Sequence, residues 1–225
     1  VTILAATGLQ REARILASAG IEVIAGGGDH ARLEAALEQR APGASGIISI
    51  GIAGALAPHL RPGHWVVADS VHDGTDHFPA DPGWTRRLRA ALPEAAAGTL
   101  LGTDSMVADA AAKAALHRRG GAIAVDMESH VAARVARRHA LPFATARVIS
   151  DAANRTLPPA AQVGMRPDGS MDLPAVLRSL LANPLQLPAL IRAGLEAEQA
   201  FRALLRGHRR LGAAMLAAVV DLDPA

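Results

Sequence analysis

Short, strongly apolar runs alternate along the chain with Ala-, Leu- and Arg-rich stretches of helical periodicity. Residues 3–6, 21–25, 46–51, 65–70, 100–101, 122–127 and 143–150 read as strands: short, rich in Val, Ile or Leu, and bounded by Gly, Pro, Asp or Ser. Residues 11–19, 32–39, 82–92, 109–119 and 129–139 read as helices, and Asp29 is placed to cap the second. Gly51-Ile52-Ala53-Gly54 reads as a tight loop after the third strand, and Pro62-Gly63 as a turn. Such alternation predicts an α/β fold with a parallel or mixed sheet. Near-continuous apolar strands predict burial on both faces. Beyond Asp151 the pattern changes: residues 154–174 are Pro- and Gly-rich and read as a loop. Residues 174–216 read as helical, with breaks at Asn183-Pro184 and at Gly207. The expected organisation is an α/β core over residues 1–160 and a helical extension over 161–225 packed on the same domain.

Composition narrows the function classes. The chain has 225 residues and no cysteine, which excludes disulfides, thiolate nucleophiles, cysteine zinc sites and iron–sulfur clusters. The net charge is only +2. The pI of 10.2 reflects missing buffers, because the chain lacks Tyr and Cys and has one lysine, Lys113. With aromatics at 2%, a base-stacking surface for nucleic acid is not expected. No apolar run is long enough to span a membrane. Val1-Thr2-Ile3-Leu4 lacks the basic head of a signal peptide and reads as a first strand of a cytoplasmic protein.

Ligands of open α/β sheets bind at the carboxyl ends of strands. Glu128 and Asp151 fall at such ends, and Glu12 opens the helix after the first strand. Position alone leaves two readings open. Acids are favoured in first helical turns as caps, and acids at strand ends can also converge on a pocket.

The local strings add a resemblance. Ala124-Val125-Asp126-Met127-Glu128-Ser129, then Leu141-Pro142-Phe143, then Arg147-Val148-Ile149-Ser150-Asp151 resemble the purine nucleoside phosphorylase superfamily, and among its members the methylthioadenosine/S-adenosylhomocysteine nucleosidases. Gly51-Ile52-Ala53-Gly54-Ala55-Leu56 and Pro62-Gly63-His64-Trp65-Val66-Val67 resemble that family's glycine loop and following turn. A narrower likeness, to the hopanoid-associated phosphorylases, rests on Gly8-Leu9-Gln10-Arg11-Glu12-Ala13-Arg14, Arg166-Pro167-Asp168-Gly169, residues 175–181 and Gln186-Leu187-Pro188-Ala189-Leu190.

This resemblance implies a three-layer α/β/α fold with a central mixed, partly barrel-like sheet and C-terminal helices. It implies cleavage of a purine N-glycosidic bond, and at the narrower level release of adenine from adenosylhopane, a nucleoside joined to a polycyclic lipid. Asp151 is then the general acid at the base, on the expectation that burial keeps it protonated. Glu128 holds the ribose and favours the oxocarbenium-like transition state as an anion. Glu12 activates the nucleophile. Met127 lies under the sugar, Met106 falls where relatives carry an aromatic against adenine, and Ile52, Ala53, Gly54 and Ser150 line the pocket. No metal or organic cofactor is implied, with inorganic phosphate as co-substrate if the reaction is phosphorolysis. Phosphate-using relatives carry Arg and Ser around the glycine loop where this chain has Ser49 and Ile52, which leaves Arg11 as the phosphate candidate. Phosphorolysis, hydrolysis and non-catalytic nucleoside or lipid binding all stay open, and a homodimer is expected.

Three weaker signals remain. His72, Asp73, Asp76 and His77 cluster, but at no zinc spacing, and read as a solvated loop. Gly26-Gly27-Gly28 is a turn rather than a dinucleotide fingerprint. Residues 174–212 carry six Arg (178, 192, 202, 206, 209, 210) against Glu196 and Glu198. This stretch reads either as an amphipathic helix docked on the core or as a surface for anionic lipid, through Arg202, Arg206, Arg209 and Arg210.

Overall fold

The computed structural model describes residues 2–18, 20–166 and 168–216. Among them, eight strands make one mixed sheet: β1 (Ile3–Thr7), β2 (Ile21–Ala25), β3 (Gly46–Ala55), β4 (Trp65–His72), β5 (His77–Pro79), β6 (Ala96–Gly102), β7 (Ala124–Asp126) and β8 (Phe143–Asp151). β3 pairs with β8, β8 with β4, β4 with β6, β6 with β7, and β7 returns to β3. This circuit closes a ring of five strands. β1 and β2 extend it in parallel from β3, and the short β5 runs antiparallel on β4.

The helices are α1 (Gln10–Leu16), α2 (His30–Arg40), α3 (Pro82–Ala91), α4 (Ala110–Gly120), α5 (Ser129–Arg138), α6 (Pro159–Gln162), α7 (Leu173–Ala182) and α8 (Leu187–Leu216). Successive strand residues face opposite sides, so each strand feeds two cores. Leu4 and Ile47 pack with Leu33 and Leu37 of α2 and Val131 and Val135 of α5. Ile3 and Ile48 pack with Leu16 of α1, Trp84 and Leu88 of α3 and Leu204 and Leu211 of α8. Three layers follow, helix over sheet over helix. Asp29, Asp81, Asp109 and Asp172 each accept the amide of the third residue of the helix they precede, which explains where four helices start.

Two expectations change. The glycine stretch after Gly51 is strand and not loop, because β3 stays paired with β8 as far as Gly54, with a register shift at Ala53/Gly54. Its glycines provide clearance: a Cβ on Gly51 would lie 2.5 Å from Glu12 Oε1 and 2.8 Å from Arg147 Nη1. Nor does Gly207 break a helix. α8 runs through it, and the missing side chain admits the Trp65 ring, whose Cζ2 would be 2.2 Å from an added Cβ.

Candidate active site

Glu12 is buried, and three backbone amides hold its carboxylate. Gly8 and Leu9 donate to Oε2 at 2.9 and 2.6 Å, and Ile52 donates to Oε1 at 2.6 Å. The first two bonds are a helix cap; the third, from β3, is the tertiary contact that sets the carboxylate at the strand end. Burial pushes its pKa up, opposed by the Arg147 charge and by these three amides.

Arg147, on β8, is fully buried and organises the acids around it. Its Nε lies 2.8 Å from Asp126 Oδ2, and its Nη2 lies 3.4 Å from Glu128 Oε2. Nη2 also donates to Ser49 Oγ at 2.5 Å and to Ser129 Oγ at 3.3 Å. Asp126 in turn accepts the Glu128 and Ser129 amides at 3.1 and 2.8 Å, which turns the chain from β7 into α5. Burial opposes the Arg147 charge, but Asp126, Glu128 and Glu12 outweigh it and raise its pKa. Glu128 is pushed up to about 8, by burial first and by the Asp126 and Glu12 charges, against the pull of Arg147. Its carboxyl and that of Glu12 both close on Gly8, where an added Cβ would meet Glu128 Oε1 at 2.7 Å and Glu12 Oε2 at 3.5 Å.

Asp151 ends β8 beside Gly54, whose added Cβ would be 3.3 Å from Asp151 Oδ2. That is two residues along β3 from the amide that holds Glu12, a span of about 7 Å at strand rise. Ser150 Oγ donates to Asp151 Oδ1 at 2.8 Å and to the Ala53 carbonyl at 3.2 Å. The burial expected of Asp151 is present, but Lys113 of α4, fully buried, donates its ammonium to Asp151 Oδ2. The expectation considered burial alone; the group at this strand end is an ion pair.

The structure thus brings Glu12, Glu128, Asp151, Ser150, Ile52, Ala53 and Gly54 to one end of the β3–β8 pair. Met127 is half-buried, and its Cε approaches Gly28 together with Met165 Cε, at 3.5 and 3.0 Å from an added Cβ. Met106 is 40% exposed, on the loop before α4, where it lines an open groove of about 590 Å³ with Ala112, Ala115 and Leu116. Arg11 is a correction. It points away from Glu12, is bound to Glu198 at 2.6 Å and sits over the Phe201 ring at 4.1 Å, because neighbouring positions on α1 face different sides. It is tied to α8 and contributes nothing to the acid cluster.

Among the described residues, the His72–His77 turn forms no group of three close donors: Asp73 accepts the Thr75 and Asp76 amides, and Asp76 pairs with Arg137. A different trio, His30, Asp104 and His130, has donor atoms within 4.8 Å of one another. His30 and His130 stand in the first turns of α2 and α5, where helix dipoles favour an anion. Asp104 is that anion, 3.0 Å from His130 Nε2 and 3.9 Å from His30 Nδ1, and it latches the loop that carries Met106. Sequence reasoning assigned no role to Arg147, Asp126 or Lys113. The available signals were an arginine inside an apolar strand and a lysine alone among 23 basic residues.

A five-stranded ring between two helical layers, with acids at the strand ends, is the architecture of the nucleoside phosphorylase and nucleosidase class. The chain belongs to the phosphorylase superfamily: that family's sequence model matches residues 9–182. Among solved structures, the 5'-methylthioadenosine/S-adenosylhomocysteine nucleosidase of Helicobacter pylori superposes with a TM-score of 0.66 at 16% identity, covering 95% of this chain and 97% of that one. The corresponding enzyme of Neisseria meningitidis gives 0.66 at 15%, covering 96% and 98%. The S-adenosylhomocysteine nucleosidase of Streptococcus pyogenes gives 0.64 at 17%, covering 99% and 98%. A comparison with curated protein sequences finds no significant match.

Proposed function

We propose that this protein releases adenine from a nucleoside by hydrolysis of the N-glycosidic bond, and that its substrate is adenosylhopane. The carrying observation is the convergence of Glu12, Glu128 and Arg147 on one side and Asp151 on the other, about a nucleoside's breadth apart. The structural neighbours, solved with nucleoside analogues bound, support the base class. In this reading Asp151 faces the purine and delivers a proton to N7. The C1'–N9 electron pair passes into the base, and water adds to C1' while Glu12 takes its proton. Glu128 holds the ribose hydroxyls over Met127.

Water is favoured over phosphate as the nucleophile. Arg147 and Lys113, the cations at this end of the sheet, are each already held by a carboxylate. A phosphate dianion would have to displace one of these carboxylates from its buried cation. Phosphate as co-substrate is therefore not part of the proposal.

The lipid reading draws on the surface near the site. Asp168 and Gly169 are bound to the start of α1, with Gly169 O accepting the Gln10 amide at 3.0 Å. They lead into α7, which buries none of its residues. Leu173, Leu177, Leu181, Leu185, Leu187, Ile191 and Leu195 are all exposed. Residues 173–195 hold Arg178 and Arg192 and no acid. This composition suits contact with the anionic inner face of the cytoplasmic membrane. It suits a second copy poorly, because an isologous contact would bring these arginines together without carboxylates between them. The homodimer implied by the family resemblance is therefore proposed to use another face.

The second reading, a methylthioadenosine/S-adenosylhomocysteine nucleosidase, is favoured by the structural neighbours. The test is chromatography of products from adenosylhopane and from methylthioadenosine, with and without phosphate. The expected outcome is adenine plus free sugar without phosphate, faster with the lipid substrate. Asp151→Ala should lower kcat by about 100-fold with an unchanged circular dichroism spectrum. Adenine release by that variant at the parental rate would overturn the assignment.

A further inference from the structure

Arginine supplies all but one of the 23 basic side chains; the exception is Lys113. It is fully buried, and it lies against the carboxylate proposed to protonate the leaving base. Its remaining contacts are two backbone carbonyls just beyond that carboxylate, Ala152 O at 3.4 Å and Arg155 O at 3.0 Å. An ammonium has three N–H donors and a guanidinium cannot lose its proton in a protein. Where only a fixed counter-charge is needed, arginine serves, as Arg147 does for Asp126 on the next site along β8. Lysine differs in being able to give a proton up.

We infer that Lys113 is a positioning residue that also stores the proton for Asp151, so that the acid at the purine is the pair and not the carboxyl alone. This rests on the reading that Asp151 faces the base. The hydrogen-bond count supports it. As Nζ–H breaks and Oδ2–H forms, the neutral amine keeps two N–H donors for the Ala152 and Arg155 carbonyls, and its lone pair receives the new O–H. Neither protonation state strands a buried polar group, which is what would make one of them costly. The carboxyl then turns about its broad Cβ–Cγ torsion and passes the proton to N7 as the C1'–N9 pair enters the purine. Solvent returns a proton to Nζ, matching the one that Glu12 takes from the attacking water.

The experiment compares two leaving groups. A purine nucleoside needs N7 protonation; 4-nitrophenyl riboside releases an anion that does not. Lys113→Arg keeps the charge and cannot release a proton. It should lower kcat on the nucleoside by about 100-fold, leave KM within about threefold, and leave turnover of 4-nitrophenyl riboside near parental. The unmodified enzyme supplies the second measurement, should the variant fold poorly: raising pH should depress kcat for the nucleoside relative to 4-nitrophenyl riboside. Parental kcat of the variant on the nucleoside, equal losses on both substrates, or parallel pH profiles in the unmodified enzyme would overturn the inference. A parental enzyme inactive on both substrates would instead count against the proposed function itself.

Discussion

Arg147 shows how one residue can make a cluster of acids tolerable. Asp126, Glu128 and Glu12 would repel one another in a dry interior, and a fully buried guanidinium with several donors reduces that cost. The compensation is partial, and Glu128 stays protonated up to about 8. Folded Glu128 therefore holds a proton through a range in which the unfolded chain, with its carboxyl near 4.5, has already released it. Between those values the folded state binds more protons, so raising pH weakens it. The thermal midpoint should fall from about pH 5 to 8, and Glu128→Gln should flatten that slope, as read by calorimetry across pH. A parental midpoint that rises over this range, or a slope the variant keeps, would mean that folded Glu128 is already ionised. With Glu128 protonated, anchoring of ribose by its anion, as the family resemblance implies, requires ligand or solvent to take the proton first. At this scale the acids were legible, because Glu128 and Asp151 close apolar strands and Glu12 opens a helix. Arg147 and Lys113 were not, because what they pair with comes from other elements.

At the scale of elements, glycines have two distinct uses. In β3 they let side chains from α1 and β8 approach the strand, so Gly51 marks the site and not a turn. In α8 the same residue type does opposite things at two positions. Gly207 is filled by the Trp65 ring, whereas an added Cβ at Gly194 meets nothing within 4 Å. Gly207→Ala should overpack that contact at about 1–3 kcal/mol, more than the ~1 kcal/mol gained in helix propensity. Gly194→Ala should show only the gain. Urea titration of both variants, expected to shift the midpoint in opposite directions, checks this. A midpoint raised by Gly207→Ala would mean that Trp65 has room to move. The start of α2 is readable because the Asp29 cap acts over three residues; the continuity of α8 at Gly207 is not, because its reason is a ring from β4. In the second half of α8, Leu204 and Leu211 are buried and Arg202 and Arg210 pair with Glu198 and Glu94.

For the whole molecule, the exposed apolar surface has moved from the Arg-rich end of α8 to α7 and the first turns of α8. Among the described residues, no helix is long and apolar enough to cross a membrane, so the proposed contact is peripheral. Leu177, Leu181 and Leu185 changed together to Ser should reduce co-sedimentation with anionic liposomes more than tenfold, since a fully buried Leu is worth about 1.5–3 kcal/mol. The change Arg202, Arg206, Arg209 and Arg210→Ala should matter much less. Retention of binding by the leucine variant would remove α7 from the membrane model. By itself the sequence determined most of the helices and strands, the Asp29 cap, the superfamily resemblance and three acids at element ends. Each of these depends on periodicity or side-chain preference within a few residues. Closure of the five-strand ring, the outward turn of Arg11, the Lys113–Asp151 pair and the bare face of α7 were decided by the tertiary structure alone. Each depends on which distant segment arrives opposite, and no local window of the chain contains that partner.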